Sequence, residues 1–438
     1  MALGYSALSA LTTGANNIAI GYESMDAVNA GESSNIAIGY GSMGAVDETI
    51  NSGAGIHSAD NNIAIGENAL TGGALGGGDV SDSTTRRLDY NIAIGSNTLN
   101  STGQNASEGQ IAIGYNALTA LTTGTEALAI GYNAGASLTT GNQNLAIGYN
   151  AMKEHVDGGS NIAIGTGAMD GTRGGSGGTQ NNSDGSNYNL FIGRDAGGGN
   201  WADVASNENV AIGHFCMYAI LNGASSNTAV GYSAAAEITS GDENTCIGKT
   251  AGDAITSGDK NTCIGYASDA SATADNQIAI GNATVTDGAN KGRWGNASIG
   301  TNNIQTDWTV DSDSRIKKDI EDSDIGLSFI NDLKTRKYKK RHPSEYDAEI
   351  LEARYKQGGS NYDDDKDEII KDEFDDDKVW NGLVAQEVKT VMDDLDVEFS
   401  GWSEDTKGKQ GIQYSTLVVP LIKAVQELSA KVEALEAK

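Results

Sequence analysis

A β-solenoid built from 17-residue coils, followed by a smaller α+β unit that ends in a helix, is the fold class this sequence predicts. Three observations predict it. One phrase, Asn-Ile-Ala-Ile-Gly-Tyr, recurs along the first 300 of the 438 residues. Glycine stands at 58 positions and proline at only 2, Pro343 and Pro420, both in the last third. Charge is sparse before residue 300, with 27 acids and 9 bases, and dense after it, with 32 and 20.

The repeat comes first along the chain. Its glycine falls at Gly4, Gly21, Gly39, Gly66, Gly95, Gly114, Gly131, Gly148, Gly165, Gly193, Gly213, Gly231, Gly248, Gly265, Gly281 and Gly300. The commonest step is 17, and steps of 27, 29 and 28 precede Gly66, Gly95 and Gly193. Asn stands four residues before the glycine in 12 of 15 copies, the exceptions being Gln110, Ala127 and Gln277. In each unit, x-Ala-Ile alternates branched and small residues, the period of a half-buried strand. Glycine ends the strand where backbones approach closely. The Leu-Thr-Thr run is expected to form a second strand, with Gly and Asn making the return turn. A unit this small buries no core alone, so coils must stack at roughly 4.8 Å, with the Asn residues in a hydrogen-bonded ladder. Sixteen such rungs make a rod roughly 75 Å long. The three long steps (46–60, 71–90, 170–188) are expected to emerge as lateral loops, with Arg86, Arg87 and Arg173 as candidate receptor contacts.

Composition narrows the function classes. A net charge of −30 repels phosphate backbones and argues against nucleic acid as a partner. No apolar run of about 18 residues or more is present, so no membrane-spanning helix is expected. The first ten residues lack the basic and apolar regions of a secretory signal. Met1 opens within a repeat (Ala2-Leu3-Gly4-Tyr5), so the expectation is either a fragment or a chain that another protein attaches. Cys216, Cys246 and Cys263 form no metal-ligand spacing and read as small apolar fillers in reduced form. His57, His155, His214 and His342 lie too far apart to read as a metal set, and no phosphate-binding Gly-Lys loop occurs. No metal or cofactor is expected.

After Trp308 the pattern changes. The segment Asp311-Ser312-Asp313-Ser314-Arg315-Ile316-Lys317 follows, then Gly382-Leu383-Val384-Ala385-Gln386-Glu387-Val388, then Tyr414-Ser415-Thr416-Leu417. The chain closes with Val418, Leu421, Val425, Leu428, Val432 and Leu435, a heptad seam. Its Val and Leu placement favours two strands, over too few heptads to decide. An acidic insert, 363–377, lacks the Gly and Glu that a calcium loop needs at its sixth and twelfth positions and reads as a solvated loop.

Two resemblances rest on these residues. Over residues 3–300 the N-x-A-I-G-Y-x-A repeats resemble the left-handed parallel β-roll of trimeric autotransporter adhesin heads and related phage fibres. That resemblance implies three rolls side by side, with Ile and Val faces meeting near the three-fold axis. Over residues 311–438 the three motif blocks and the terminal seam resemble the intramolecular chaperone domain of phage tailspikes, endosialidases and neck fibres. The resemblance implies a domain that trimerises, holds the stalks in register and is released by a Ser–Lys dyad. Carried over by position, Ser312 is the nucleophile and Lys317 its base, with Asp313 and Arg315 in the flanking motif. Serine needs such a base, and lysine accepts a proton only where desolvation lowers its pKa, which a trimer interface would supply.

The expected organisation is a solenoid over 1–300, a linker over 301–311 and a chaperone auto-peptidase over 312–438, with a coiled coil at 415–438. The expected function is a homotrimeric virion tail fibre, assembled in the host cytoplasm. Its partners would be a host-surface glycan or protein and other virion tail proteins. A bacterial surface adhesin and a polysaccharide-depolymerising tailspike are the alternatives.

Overall fold

The computed structural model describes residues 1–27, 31–44, 57–72, 86–102, 107–172, 185–202, 204–219, 221–299, 303, 311–351, 355–357, 362–363, 366, 368–371, 377–405 and 408–437. The chain divides into two compact units, Met1–Trp294 and Gly295–Lys438.

The first unit is a parallel β-solenoid. Sixteen short strands among the described residues form one sheet in chain order, from Ala2–Leu3 to Gly292–Trp294. The register is strict: Leu145, Ala146 and Ile147 pair with Ile162, Ala163 and Ile164, and the pattern repeats coil after coil. The small middle residue points inward. Ala19, Ala37, Ala64, Ala93, Ala112 and Ala163 are fully buried, while the flanking Ile and Leu residues stand partly exposed on the outer face. Cys246 and Cys263 occupy the same inner column and are free and buried. Phe191 is the large exception. Trp201 packs edge-on against it at 5.7 Å, and an added Cβ at Gly197 would strike its ring.

The Asn column holds the coils together. Asn161 N–H donates to Asn144 Oδ1 at 3.0 Å, and Asn189 N–H donates to Asn161 Oδ1 at 3.0 Å. Each amide also reaches a carbonyl of the following coil, as from Asn161 Nδ2 to Ser186 O at 2.9 Å. Buried side-chain amides are thereby satisfied in a row. Gln110 and Gln277, two of the three sequence exceptions, keep the same bonds: Gln110 Oε1 accepts from Ala127 N–H, and Gln277 N–H donates to Asn261 Oδ1, while Ala127, the third, has no amide to pass the row on. A second row runs beside the first, from Ser225 N–H to Asp242 Oδ1, Asp242 N–H to Asp259 Oδ1 and Asp259 N–H to Asp275 Oδ1.

Two expectations are corrected here. The Leu-Thr-Thr run forms no second strand. After most of the glycines two alternate residues take left-handed backbone, for example Asn116 (φ 55°) with Leu118 (φ 49°), so the chain curls through tight turns, and the Leu-Thr-Thr run bonds to the next coil outside strand geometry, as from Thr122 N–H to Thr139 O. The sixteenth rung is Gly292–Trp294, ended by Gly295, and not Ala297–Ile299 before Gly300. There Arg293 stands in the inner column, and its guanidinium donates to Val285 O at 2.8 Å, which closes a shorter coil.

One core position carries a titratable group. His155 lies in the buried column of Leu121 and Leu138 and is itself fully buried. Its Nε2 meets Gly158 O at 3.1 Å, whereas Nδ1 has no partner. Burial pushes its pKa down from 6.5 to about 4. The unfolded chain therefore binds the proton first, and the His155 contribution to stability is lost as pH falls from 6.5 towards 4. Asp170 in the next coil opposes this, because burial raises its pKa to about 6. Comparison with His155→Leu isolates the imidazole. The variant's advantage over wild type is expected to grow by about 3 kcal/mol between pH 7.5 and pH 4, read from thermal unfolding. An advantage independent of pH would show that the imidazole is not held neutral.

In the second unit, Arg336–Lys339 pairs antiparallel with Val379–Gly382, and Trp402–Glu404 with Gln410–Ile412. Among the described residues of this unit there are three α-helices: α1 (Leu327–Asp332), α2 (Ala385–Leu395) and α3 (Val418–Glu436), the last being the expected terminal helix. Helix α2 buries Val388, Val391 and Met392 on one face and stops at Asp396, which takes left-handed backbone (φ 53°). With Ile325, Phe329 and Phe399 these side chains form a small core, the two Phe rings lying 5.3 Å apart. Tyr362–Asp363 and Glu368–Ile369 form a hairpin within the acidic insert, much of which lies outside the described residues.

Candidate functional site

Ser312 and Lys317 are brought together. The Lys317 ammonium donates to Ser312 Oγ at 2.7 Å, inside the 2.6–3.2 Å range for direct proton transfer. A short turn between them makes this possible. Asp313 caps a 3₁₀ turn over Ser314–Ile316, accepting from Arg315 N–H at 2.9 Å through Oδ1. The Arg315 guanidinium closes back on the same carboxylate, with Nε at 3.0 Å from Oδ1 and Nη2 at 2.6 Å from Oδ2. This fork holds the Asp313 carboxyl below the usual carboxylate range. Lys317 returns to extended backbone, its N–H bonded to Ser314 O. All four side chains are exposed in the single chain, as are Ile316 and Ile320 at 67% and 68%.

The other two motif blocks meet each other. Leu383 N–H donates to the Tyr414 hydroxyl at 2.7 Å, and an added Cβ at Gly382 would strike that oxygen. Glu387 of the same block pairs with Arg336, whose Nε lies 2.9 Å from Oε2. Sequence reasoning missed Arg336, although Glu387 stood inside a recognised motif. It also missed Glu427, which accepts from Leu327 N–H at 2.9 Å and so caps α1 from α3, across 100 residues. No local pattern announces a contact at that separation.

Helix α3 uses this contact side, with Pro420 and Ala424 buried, to lie against its own unit. Its heptad seam points elsewhere. Val418, Leu421, Val425, Leu428, Val432 and Leu435 are 44–70% exposed.

On the solenoid, Arg86 and Arg87 sit in a short strand parallel to His57–Ser58, whereas most of the three long steps expected as lateral loops (46–60, 71–90, 170–188) lies outside the described residues. Arg87 is exposed, and Arg173 lies outside the described residues. Exposed tyrosines form a stripe beside the outer sheet face. Tyr5, Tyr22 and Tyr40 stack at 5.2 and 5.4 Å, and Tyr115, Tyr132 and Tyr149 at 5.0 and 5.3 Å. Their ring faces are turned to one another, which leaves edges and hydroxyls to solvent.

Among the described residues no group of three or more His, Cys, Asp or Glu side chains is placed to hold a metal ion, and no helix is long and apolar enough to cross a membrane. Comparison with protein-family models finds none that matches this chain, and comparison with curated proteins finds no match either.

Proposed function

We propose that this chain is a homotrimeric virion tail fibre whose C-terminal unit drives trimerisation and then cuts itself from the solenoid through Ser312 and Lys317. The observation that carries the reading is apolar surface left in water by one chain on both units. The solenoid leaves the Ile and Leu of its outer sheet face partly exposed, with Ile212, Ile247 and Ile264 at 37–41%, and α3 exposes its whole Val/Leu seam. Covering six seam side chains that are about half exposed stabilises each helix by roughly 5–10 kcal/mol. A row of identical coils matches best against copies of itself, because the same spacing recurs on each.

The Ser312–Lys317 contact supports the second half of the reading. Ser312 Oγ gives its proton to Lys317 Nζ as it attacks an adjoining peptide carbonyl. Lys317 returns that proton to the departing amide nitrogen, and water then hydrolyses the ester. The exposed pair needs cover before lysine serves as a base, so neighbouring chains gate the reaction. Attachment to a host-surface glycan or protein falls to the solenoid, whose three long steps add about ten residues each to the ordinary coil.

Sedimentation equilibrium at micromolar concentration tests the assembly. The expected mass is three times the 45.2 kDa of one chain, and Leu428→Asp in the seam is expected to lower the trimer yield severalfold. A wild-type mass near that of one chain overturns the proposal.

A further inference from the structure

We infer that Asp313 and Arg315 are positioning residues, which hold Ser312 and Lys317 within proton-transfer distance while the peptide bond is cut. The inference rests on the auto-peptidase reading above. Five residues of extended chain separate two positions by roughly 17 Å, so an Oγ–Nζ contact at this spacing requires the chain to double back. No buried apolar side chain does this work, since residues 312–320 are exposed throughout. The described side-chain bonds of Ser312, Asp313, Arg315 and Lys317 are all made within the turn itself. Three of those four bonds end on the Asp313 carboxylate.

The chemistry of the pair suits that task. Asp313 Oδ1 takes the Arg315 backbone N–H, which fixes the start of the 3₁₀ turn. The planar guanidinium then grips both carboxylate oxygens, a two-point contact that restricts rotation of each side chain more than a single bond does. Lys317 N–H closes the turn on Ser314 O at 3.2 Å, which returns the lysine side chain towards Ser312. A lone Lys–Ser hydrogen bond in water would hold the two only part of the time. Both partners of the fork are exposed, Arg315 at 87% and Asp313 at 46% of their side chains, so removing either takes nothing from the core.

The test is the time course of cleavage in the full-length protein, followed on denaturing gels from the start of assembly. Asp313→Ala is expected to lower the rate constant by about 10- to 100-fold, the usual cost of losing orientation, with unchanged trimer yield and final extent. Asp313→Asn keeps an oxygen for the Arg315 N–H but loses the ion pair, and Arg315→Ala does the same from the other side. Each is expected to slow the cut by less than Asp313→Ala does. The pH midpoint of the rate should stay where it is in all three. Cleavage of Asp313→Ala at the wild-type rate overturns the inference. So does a fall in trimer yield or final extent at an unchanged rate constant, which marks a folding role, or a shifted midpoint, which marks an effect on the charge of the base. A wild-type trimer that never cuts is a different failure, because it removes the peptidase reading itself.

Discussion

Ser312→Ala is expected to give a trimer that assembles like wild type and stays in one piece. The wild-type trimer should separate into a solenoid part of about 312 residues and a C-terminal part of about 126. Without the hydroxyl there is no nucleophile, and the expected loss of rate is on the order of 10⁴-fold or more. Lys317→Ala should match it, since the two side chains form one hydrogen-bonded unit at 2.7 Å. Such effects do not add, so the double variant should be no slower than either single one. Lys409→Ala, outside the turn, should cut at the wild-type rate. Because both dyad residues are exposed and contribute nothing to the apolar core, thermal stability should not distinguish the variants from wild type. A single full-length band from freshly assembled wild type would remove the claim of self-cleavage while leaving the trimer intact.

The second large effect belongs to the glycine column of the solenoid. Gly148 holds φ at +139°, a conformation close to glycine-only, and an added Cβ would run into the carbonyl of Gly165 in the next coil. That obstacle is backbone and cannot rotate away. Gly148→Ala is expected to destabilise the solenoid by on the order of 4 kcal/mol, combining backbone strain with a break in the strand ladder. Gly109 is the control. Its φ is +73°, yet an added Cβ there meets nothing, so Gly109→Ala should cost only about 1–2 kcal/mol of left-handed strain. Hydrogen exchange should locate the damage. Amides of the Leu145–Ile147 and Ile162–Ile164 strands should lose protection in Gly148→Ala, whereas Gly109→Ala should leave them alone. Equal effects of the two substitutions would mean that the glycines serve conformation alone and not close stacking.

Much of the solenoid was legible in the sequence because repetition is a local signal. A phrase that returns about every 17 residues announces coils of equal length, and its Asn and Gly identify a ladder and a close approach before any coordinate is known. The C-terminal unit was less legible. The apolar spacing of α3 and the motif blocks could be read directly, but Arg336–Glu387 and Glu427–Leu327 join residues 51 and 100 positions apart. Nothing in the residue types selects those partners over other acids and bases in so charged a segment.

By itself the sequence determined the fold class, the coil length and the columns that stack, since each follows from composition and period. Only the tertiary structure decided how each coil is filled and closed. It turned the middle residue of each strand, most often Ala, inward and left Ile outside, because a small side chain suits so narrow an interior. It formed no second strand at the Leu-Thr-Thr run and bent the chain just before it through left-handed turns, as at Asn116 and Leu118, whose N–H groups bond to the neighbouring coils. It placed the last rung at Gly292–Trp294, where the register with Ile278–Ile280 outweighed the resemblance of Ala297–Gly300 to the repeat. It also folded Ser312 and Lys317 onto each other through the Asp313–Arg315 fork, a geometry that spacing alone leaves open. In each case the deciding term is a hydrogen bond or contact whose partner must first be brought into place.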